Sequence, residues 1–375
     1  MFTRGIELFK ILGFSVKIDA SWLIIALLVT WSLATGFFPA YYADLSSTAY
    51  WWMGISGALG LFVSIVLHEF GHAMAARRFG VEMRGITLFI FGGVAEMKDE
   101  PPSPQAEFVI AIAGPIVSVL IAAGCYALGI AADQVGMSIS VLGVLSYLSS
   151  INLLLVAFNM IPAFPLDGGR VLRAILWKMK NSLRWATRVT STIGSAFGIG
   201  LILLGVVSVF TGNFIGGMWW FLLGMFLRGA AQMSYQQLLV RRALEGEPIQ
   251  RFMQSEVQTV PFDEPVSDFV ENYVYRYHHK LFPVTNNGTL LGCMTTNKLR
   301  DLPREEWSHH TVGEVADTCS EENTIEASED ATAALAKMNQ GNSRLIVVED
   351  GKLKGIVGLR DMMKFIALKV ELEDA

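Results

Sequence analysis

Six histidines occur in the 375-residue sequence, and two of them, His68 and His72, stand in the segment Leu67-His68-Glu69-Phe70-Gly71-His72. The pattern is H-E-x-x-H. On a helix, residues four apart lie one turn apart on one face, so both imidazoles can reach one metal ion. Glu69 stands beside them and can take a proton from a water on that metal. The pattern lies inside an otherwise apolar stretch, where ionisable side chains are costly and mark function. The other four histidines form adjacent pairs, His278-His279 and His309-His310, with no Cys or Asp at ligand spacing. They read as exposed or packing residues.

A catalytic zinc site needs a third protein ligand and an open position for water. The segment from Asn159 to Arg170 (NMIPAFPLDGGR) offers one. Pro162 and Pro165 disrupt a helix there, and Gly168-Gly169 permits a tight turn. Asp167 is the only carboxylate between Asp133 and Glu245. It is therefore the expected third ligand, against the competing reading of a helix cap. Asn152 and Asn159 share a helical face. Asn159 points toward the Asp167 end, where an amide can steady a peptide carbonyl or its oxyanion. Asn152 suits an interhelical hydrogen bond.

These residues need a scaffold, and the composition says which kind. Hydrophobic residues make up 52% and charged residues 17%, against roughly 25% charge in soluble domains. The mean hydropathy is +0.44. An ordinary soluble enzyme and a disordered chain are both excluded. A spanning helix needs about 20 mostly apolar residues. Six stretches qualify, near 20–38, 51–79, 107–131, 139–162, 190–211 and 217–239. The connections 39–50, 132–138 and 212–216 contain no Lys or Arg, while the alternate connections contain many. Positive residues stay on the cytoplasmic side, so both termini are expected there. The N-terminus lacks a small-residue cleavage site, so the first apolar run is read as a retained anchor. Gly194 and Gly198 fit G-x-x-x-G and imply close helix packing. Arg84–Met97 (RGITLFIFGGVAEM) is too short to span as a helix. It reads as a strand or hairpin dipping into the membrane around Gly92-Gly93, with a surface hairpin as the alternative. A strand edge there can hold an extended peptide by strand addition.

The net charge of −5 is uneven. Residues 1–240 hold 14 Lys/Arg and 11 Asp/Glu, whereas residues 241–375 hold 15 and 23. No basic stripe marks a nucleic-acid binder. The three cysteines, Cys125, Cys293 and Cys319, form no C-x-x-C pair and read as buried or idle thiols of a reducing compartment.

Together these motifs resemble the site-2 protease family of intramembrane zinc metalloproteases. The resemblance rests on His68-Glu69-x-x-His72, Phe91-Gly92-Gly93-Val94-Ala95, Ala113-Gly114-Pro115 and Asn159 through Pro165-Leu166-Asp167-Gly168, and covers roughly residues 1–240. It implies a six-span α-helical polytopic membrane protein with a short β segment. It implies one zinc per chain, held by His68, His72 and Asp167, with Glu69 as general base. It further implies that the 91–95 strand presents an unwound substrate and that Asn159 contacts it. Substrates of the family are transmembrane proteins: anti-sigma factors, membrane-bound transcription-factor precursors or remnant signal peptides. Cleavage is expected near the cytoplasmic face of the cell membrane, in regulated intramembrane proteolysis.

The acidic end carries a repeat. His279-Lys-Leu-Phe-Pro-Val-Thr-Asn-Asn-Gly288 aligns with Asn342-Ser-Arg-Leu-Ile-Val-Val-Glu-Asp-Gly351 at an offset of 63 residues. Each copy reads as helix, strand, Asn-Gly or Asp-Gly hairpin, strand, helix. This resembles an α/β tandem of cystathionine-β-synthase (CBS) domains at 250–307 and 308–370, on the cytoplasmic side. Such pairs bind adenine nucleotides through a ribose motif of Gly, two apolar residues, Ser/Thr, two residues and Asp. The first copy has Gly292 and Thr295 but Lys298 in place of Asp; the second has Gly355 and Asp361 but Gly358 in place of Ser/Thr. Each holds half a motif, so nucleotide binding through Thr295 and Asp361 stands beside a purely structural, homodimerising role. Two other functional classes are a CBS-regulated transporter and a catalytically silent scaffold. The first leaves the zinc-protease spacing unexplained; the second leaves a complete catalytic set unused.

Overall fold

The apolar stretches become helices because a chain removed from water must satisfy its backbone within itself. The computed structural model describes residues 6–11, 14–81, 83–89, 92–97, 100–286, 289–320, 323–338 and 344–373. They divide into two units, Met1–Gln236 and Gln237–Ala375.

In the first unit, α1 (Ala20–Ser32) passes through a π-helical turn, Leu33–Phe37, into α2 (Phe38–Tyr41). Then follow α3 (Ser47–Arg78), α4 (Pro104–Gln134), α5 (Ile139–Asn159), α6 (Asp167–Lys180), α7 (Leu183–Phe210) and α8 (Phe214–Leu244). Six helical segments among the described residues are long and apolar enough to cross a membrane: Ser21–Tyr41, α3, α4, α5, α7 and α8. Local chemistry sets their starts. Ser46 Oγ accepts from Ala49 N, and Ser103 Oγ accepts from Ala106 N with Pro104 at the first helical position. Large apolar side chains such as Leu27, Leu120, Leu128 and Leu203 point outward and stay exposed. In lipid such a surface carries no penalty, because acyl chains are as apolar as leucine.

Helix α4 is central and packs against α3, α5 and α6. Polar ties reinforce the bundle: Asn152 Nδ2 donates to Ser64 Oγ (3.0 Å), and Ser149 Oγ donates to Ala122 O (3.0 Å). Asn152 is thus an interhelical donor, as its sequence position suggests. The two glycines of G-x-x-x-G face different partners. A Cβ on Gly198 would lie 2.8 Å from Gly224 O on α8, whereas one on Gly194 would lie 2.0 Å from Phe164 O in the 160–166 loop. Backbone atoms cannot move aside cheaply. Gly194→Ala is therefore expected to cost about 1–3 kcal/mol of stability, read as a lowered midpoint of denaturation.

Four strands form a sheet in the order β1 (Ile6–Ile11), β2 (Phe14–Ile18), β3 (Met83–Phe89), β4 (Gly92–Met97). β1/β2 and β3/β4 are antiparallel; β2/β3 is parallel. The 84–97 segment is thus a hairpin, with Leu88 opposite Gly93 and Phe89 opposite Gly92. β4 is an edge strand of this sheet. The N-terminal residues enlarge the expected hairpin into a sheet. Phe14 and Val16 are buried while Ser15 and Lys17 alternate with them, the period-2 pattern of a half-buried strand.

The second unit repeats one motif. β5 (Val260–Pro261) runs parallel to β6 (Leu281–Asn286), which is antiparallel to β7 (Thr289–Thr295). β8 (Thr324–Glu326), β9 (Arg344–Glu349) and β10 (Lys352–Gly358) repeat the arrangement. The second hairpin turns at Asp350-Gly351, both at positive φ, as a type I′ turn requires; Asn287-Gly288 lies outside the described residues. Leu281, Cys293, Ile346 and Ile356 form an apolar cluster between the repeats.

The cysteines differ from expectation: Cys293 and Cys319 form a disulfide, and only Cys125 is free. The segment after the first repeat lies along β7, where Cys293 N donates to Asp317 O (2.8 Å) and Asp317 N to Cys293 O (3.2 Å). That pairing brings Cys319 to Cys293 across 26 residues of sequence, a separation that carries no motif.

Candidate metal centre

His68 and His72 are on the buried face of α3, 3% and 5% exposed. Asp167 is the first residue of α6. The 160–166 loop ends α5 and returns the chain to α3, so carboxylate and imidazoles meet. Asp167 Oδ2 lies 3.1 Å from His68 Nε2, and Oδ1 lies 3.3 Å from His72 Nε2. The two Nε2 atoms are 3.2 Å apart. Gly168 and Gly169 differ from expectation. They are the second and third residues of α6 rather than a turn, and α6 packs through them on the loop backbone.

Hydrogen bonds decide which ring nitrogen faces inward. His72 Nδ1 lies 2.7 Å from Ile110 O. A carbonyl only accepts, so Nδ1 carries the proton and Nε2 offers its lone pair. His68 Nδ1 lies 2.9 Å from Ser118 Oγ, which can accept the same kind of proton. With the proton on Nδ1 of both rings, both Nε2 lone pairs point at each other and at a carboxylate. Three acceptors converging in a buried site need a cation among them. These atoms all lie within 4.8 Å of one another, a donor set suited to a metal ion. Two imidazoles and one carboxylate match a catalytic zinc site with its fourth position open.

Clearance for the rings comes from Gly114 of α4. A Cβ there would lie 2.2 Å from His72 Nε2 and 2.7 Å from His68 Nε2. Glu69 is half-buried beside His68, and its carboxylate is in electrostatic reach of His72, His68, Asp167 and Arg170.

Asn159 is half-buried at the last position of α5, just before the loop that ends at Asp167. Gly92 and Gly93 open the edge strand β4; Phe91 lies outside the described residues. Thr295 ends β7 in one repeat. Asp361 is in the first turn of the C-terminal helix, Leu359–Glu373, in the other. Asp361 accepts from Gly358 N (3.2 Å) and from Gln254 Nε2 (3.0 Å). His310 pairs with Glu314 (3.2 Å); the tail histidines join no metal-capable cluster among the described residues.

Sequence reasoning missed Ile110, Ser118 and the role of Gly114. A main-chain carbonyl leaves no trace in a sequence. Ser118, a hydroxyl within an apolar span, is the one residue that a search for buried polar groups flags.

Comparison with known proteins shows the family. The profile of peptidase family M50 matches residues 56–139 and 128–205, and that of the CBS domain matches 312–368. The chain is 34% identical over 365 residues to Rip3 of Mycobacterium tuberculosis, covering 96% of this chain and 93% of that protein. It is 30% identical over 373 residues to a zinc metalloprotease of Methanocaldococcus jannaschii, covering 99% of each. Among solved structures, the site-2 protease of the same archaeon is similar at 32% identity and a TM-score of 0.43, covering 61% of this chain and 94% of that one. The chain belongs to peptidase family M50, the site-2 protease family of multi-pass membrane zinc metalloproteases, and it carries a CBS domain.

Proposed function

We propose that the chain cleaves transmembrane protein substrates near the cytoplasmic face, with one zinc held by His68, His72 and Asp167 and with Glu69 as general base. The observation that carries this reading is the convergence of two imidazole Nε2 atoms and one carboxylate on a buried point. Zinc supplies Lewis acidity, acidifying a water and polarising a carbonyl. Glu69 takes the proton of the attacking water and returns it to the leaving amine. The Asn159 amide donates to the substrate carbonyl as negative charge develops there. A substrate helix hides its carbonyls in its own hydrogen bonds and must unwind first. The edge of β4 at Gly92-Gly93 offers main-chain partners to the extended segment.

The asymmetry of basic residues in the loops supports cytoplasmic termini and a cytoplasmic CBS pair. The cleavage is read as regulated intramembrane proteolysis, and we assign that pair, 250–307 and 308–370, a regulatory or homodimerising role. Half a ribose motif in each repeat leaves Thr295 and Asp361 as the candidate adenine-nucleotide contacts. Anti-sigma factors, membrane-bound transcription-factor precursors and remnant signal peptides are the substrate classes to test.

Metal content tests the core of the proposal. Purified protein is expected to carry one zinc, and Asp167→Ala to lose it together with activity. A zinc-free intact chain, or Asp167→Ala with zinc undiminished, would overturn the assignment.

A further inference from the structure

One stripe of α4 serves the whole metal centre. Glu107, Ile110, Gly114 and Ser118 recur at helical spacing and therefore face one way. Ile110 and Ser118 orient the two imidazoles, and Gly114 leaves room for them. Glu107 touches no ligand. It is wholly buried, and its Oε1 accepts from Arg173 Nε at 2.5 Å. Arg173 is on α6, the helix that begins with Asp167, and is itself 3% exposed. Its Nη2 donates to Glu100 Oε2 (3.1 Å). Its guanidinium lies over the ring of Phe164, 5.4 Å from the centroid, in the loop that leads to Asp167.

Stability alone is a weak reason for such a pair, since apolar residues of similar volume often replace a buried ion pair without loss. Glu107 Oε2 is also buried with no hydrogen-bond partner among the described residues, a further cost. What the cluster does supply is direction. A guanidinium is a planar fork with fixed donor geometry, so gripping two carboxylates and a ring sets how α6 is rotated about its axis. Asp167 moves with that rotation.

We propose that Arg173 is a positioning residue. Anchored by Glu107 and Glu100, it fixes the rotation of α6 and so the approach of Asp167 to His68 and His72. The inference rests on Asp167 being a zinc ligand. One stripe of α4 then orients all three ligands: two directly and the third through Arg173.

The test is zinc affinity of the full chain in detergent, measured by competition with a chromophoric chelator. Arg173→Lys keeps the charge but cannot grip both carboxylates and stack on Phe164. It is expected to bind zinc about 10- to 100-fold more weakly. The apo melting temperature should stay near that of the wild type. At saturating zinc, kcat should fall with KM unchanged, and the visible spectrum of the cobalt-substituted protein should shift. The pair Arg173→Met with Glu107→Gln removes both buried charges and leaves only the part-exposed Glu100 carboxylate without its partner, which guards against misfolding; the same weakening is expected. Wild-type zinc affinity in both variants would overturn the positioning role while leaving the ligand assignment standing. A wild-type chain that binds no zinc would overturn both.

Discussion

Glu69→Gln is expected to keep its zinc and lose about 10²- to 10⁴-fold in proteolytic rate, the usual contribution of a positioned general base. The substitution is isosteric and stands outside the cluster of His68, His72 and Asp167, so the ligands keep their geometry. What disappears is a proton acceptor, because an amide cannot take a proton from water at neutral pH. The effect should fall on kcat with KM little changed, as for an interaction made only on the way to the transition state. Zinc analysis beside a cleavage assay on a labelled membrane substrate checks it. Undiminished cleavage would remove Glu69 from the chemistry. An inert variant that still binds also provides a trap: substrates that accumulate on it in cells would be those the wild-type chain consumes.

The second large effect belongs to a residue with no functional group. Gly114→Ala adds one methyl where the two imidazoles of the proposed zinc site meet, 2.2 Å from His72 Nε2 and 2.7 Å from His68 Nε2. Alanine is the better helix former, so α4 itself should not suffer. The imidazoles must give way, and zinc binding should weaken by at least about 100-fold, the upper range for disturbing ligand orientation. Gly124→Ala, on the same helix with nothing within 4 Å of the added carbon, serves as the control and should hold zinc normally. Full zinc in Gly114→Ala would mean that the rings have room to spare.

Candidates for the centre could be read from the sequence because metal chemistry narrows the choice. Four-residue spacing puts His68 and His72 on one face, and an apolar background makes Asp167 conspicuous. The spans were equally legible, since about 20 apolar residues have few other uses. Short strands were not. Ile6–Ile11 and Phe14–Ile18 alternate over too few residues to stand out beside an anchor. The Cys293–Cys319 bond depends on strand pairing set elsewhere in the second unit. The supports of the centre were hidden for different reasons: Ile110 acts through its main chain, Gly114 through an absent side chain, and Arg173 through a partner 66 residues away in sequence.

The last membrane helix does not stop where the membrane part does. α8 runs unbroken to Leu244, and the division between the units falls inside it. Ala243 and Leu244 belong to the same buried apolar cluster as Ile249, Phe252, Met362 and Ile366. Lys369 of the C-terminal helix donates to Ala243 O (3.1 Å) and to Glu247 Oε1 (2.9 Å), so the end of α8 is tied into that core. A soluble piece cut just after Leu244 would therefore lack part of its own interior and expose an apolar seam. A piece beginning at Gln237 carries its core entire. The few residues that look like the tail of an anchor are, for folding, the first residues of the module that follows.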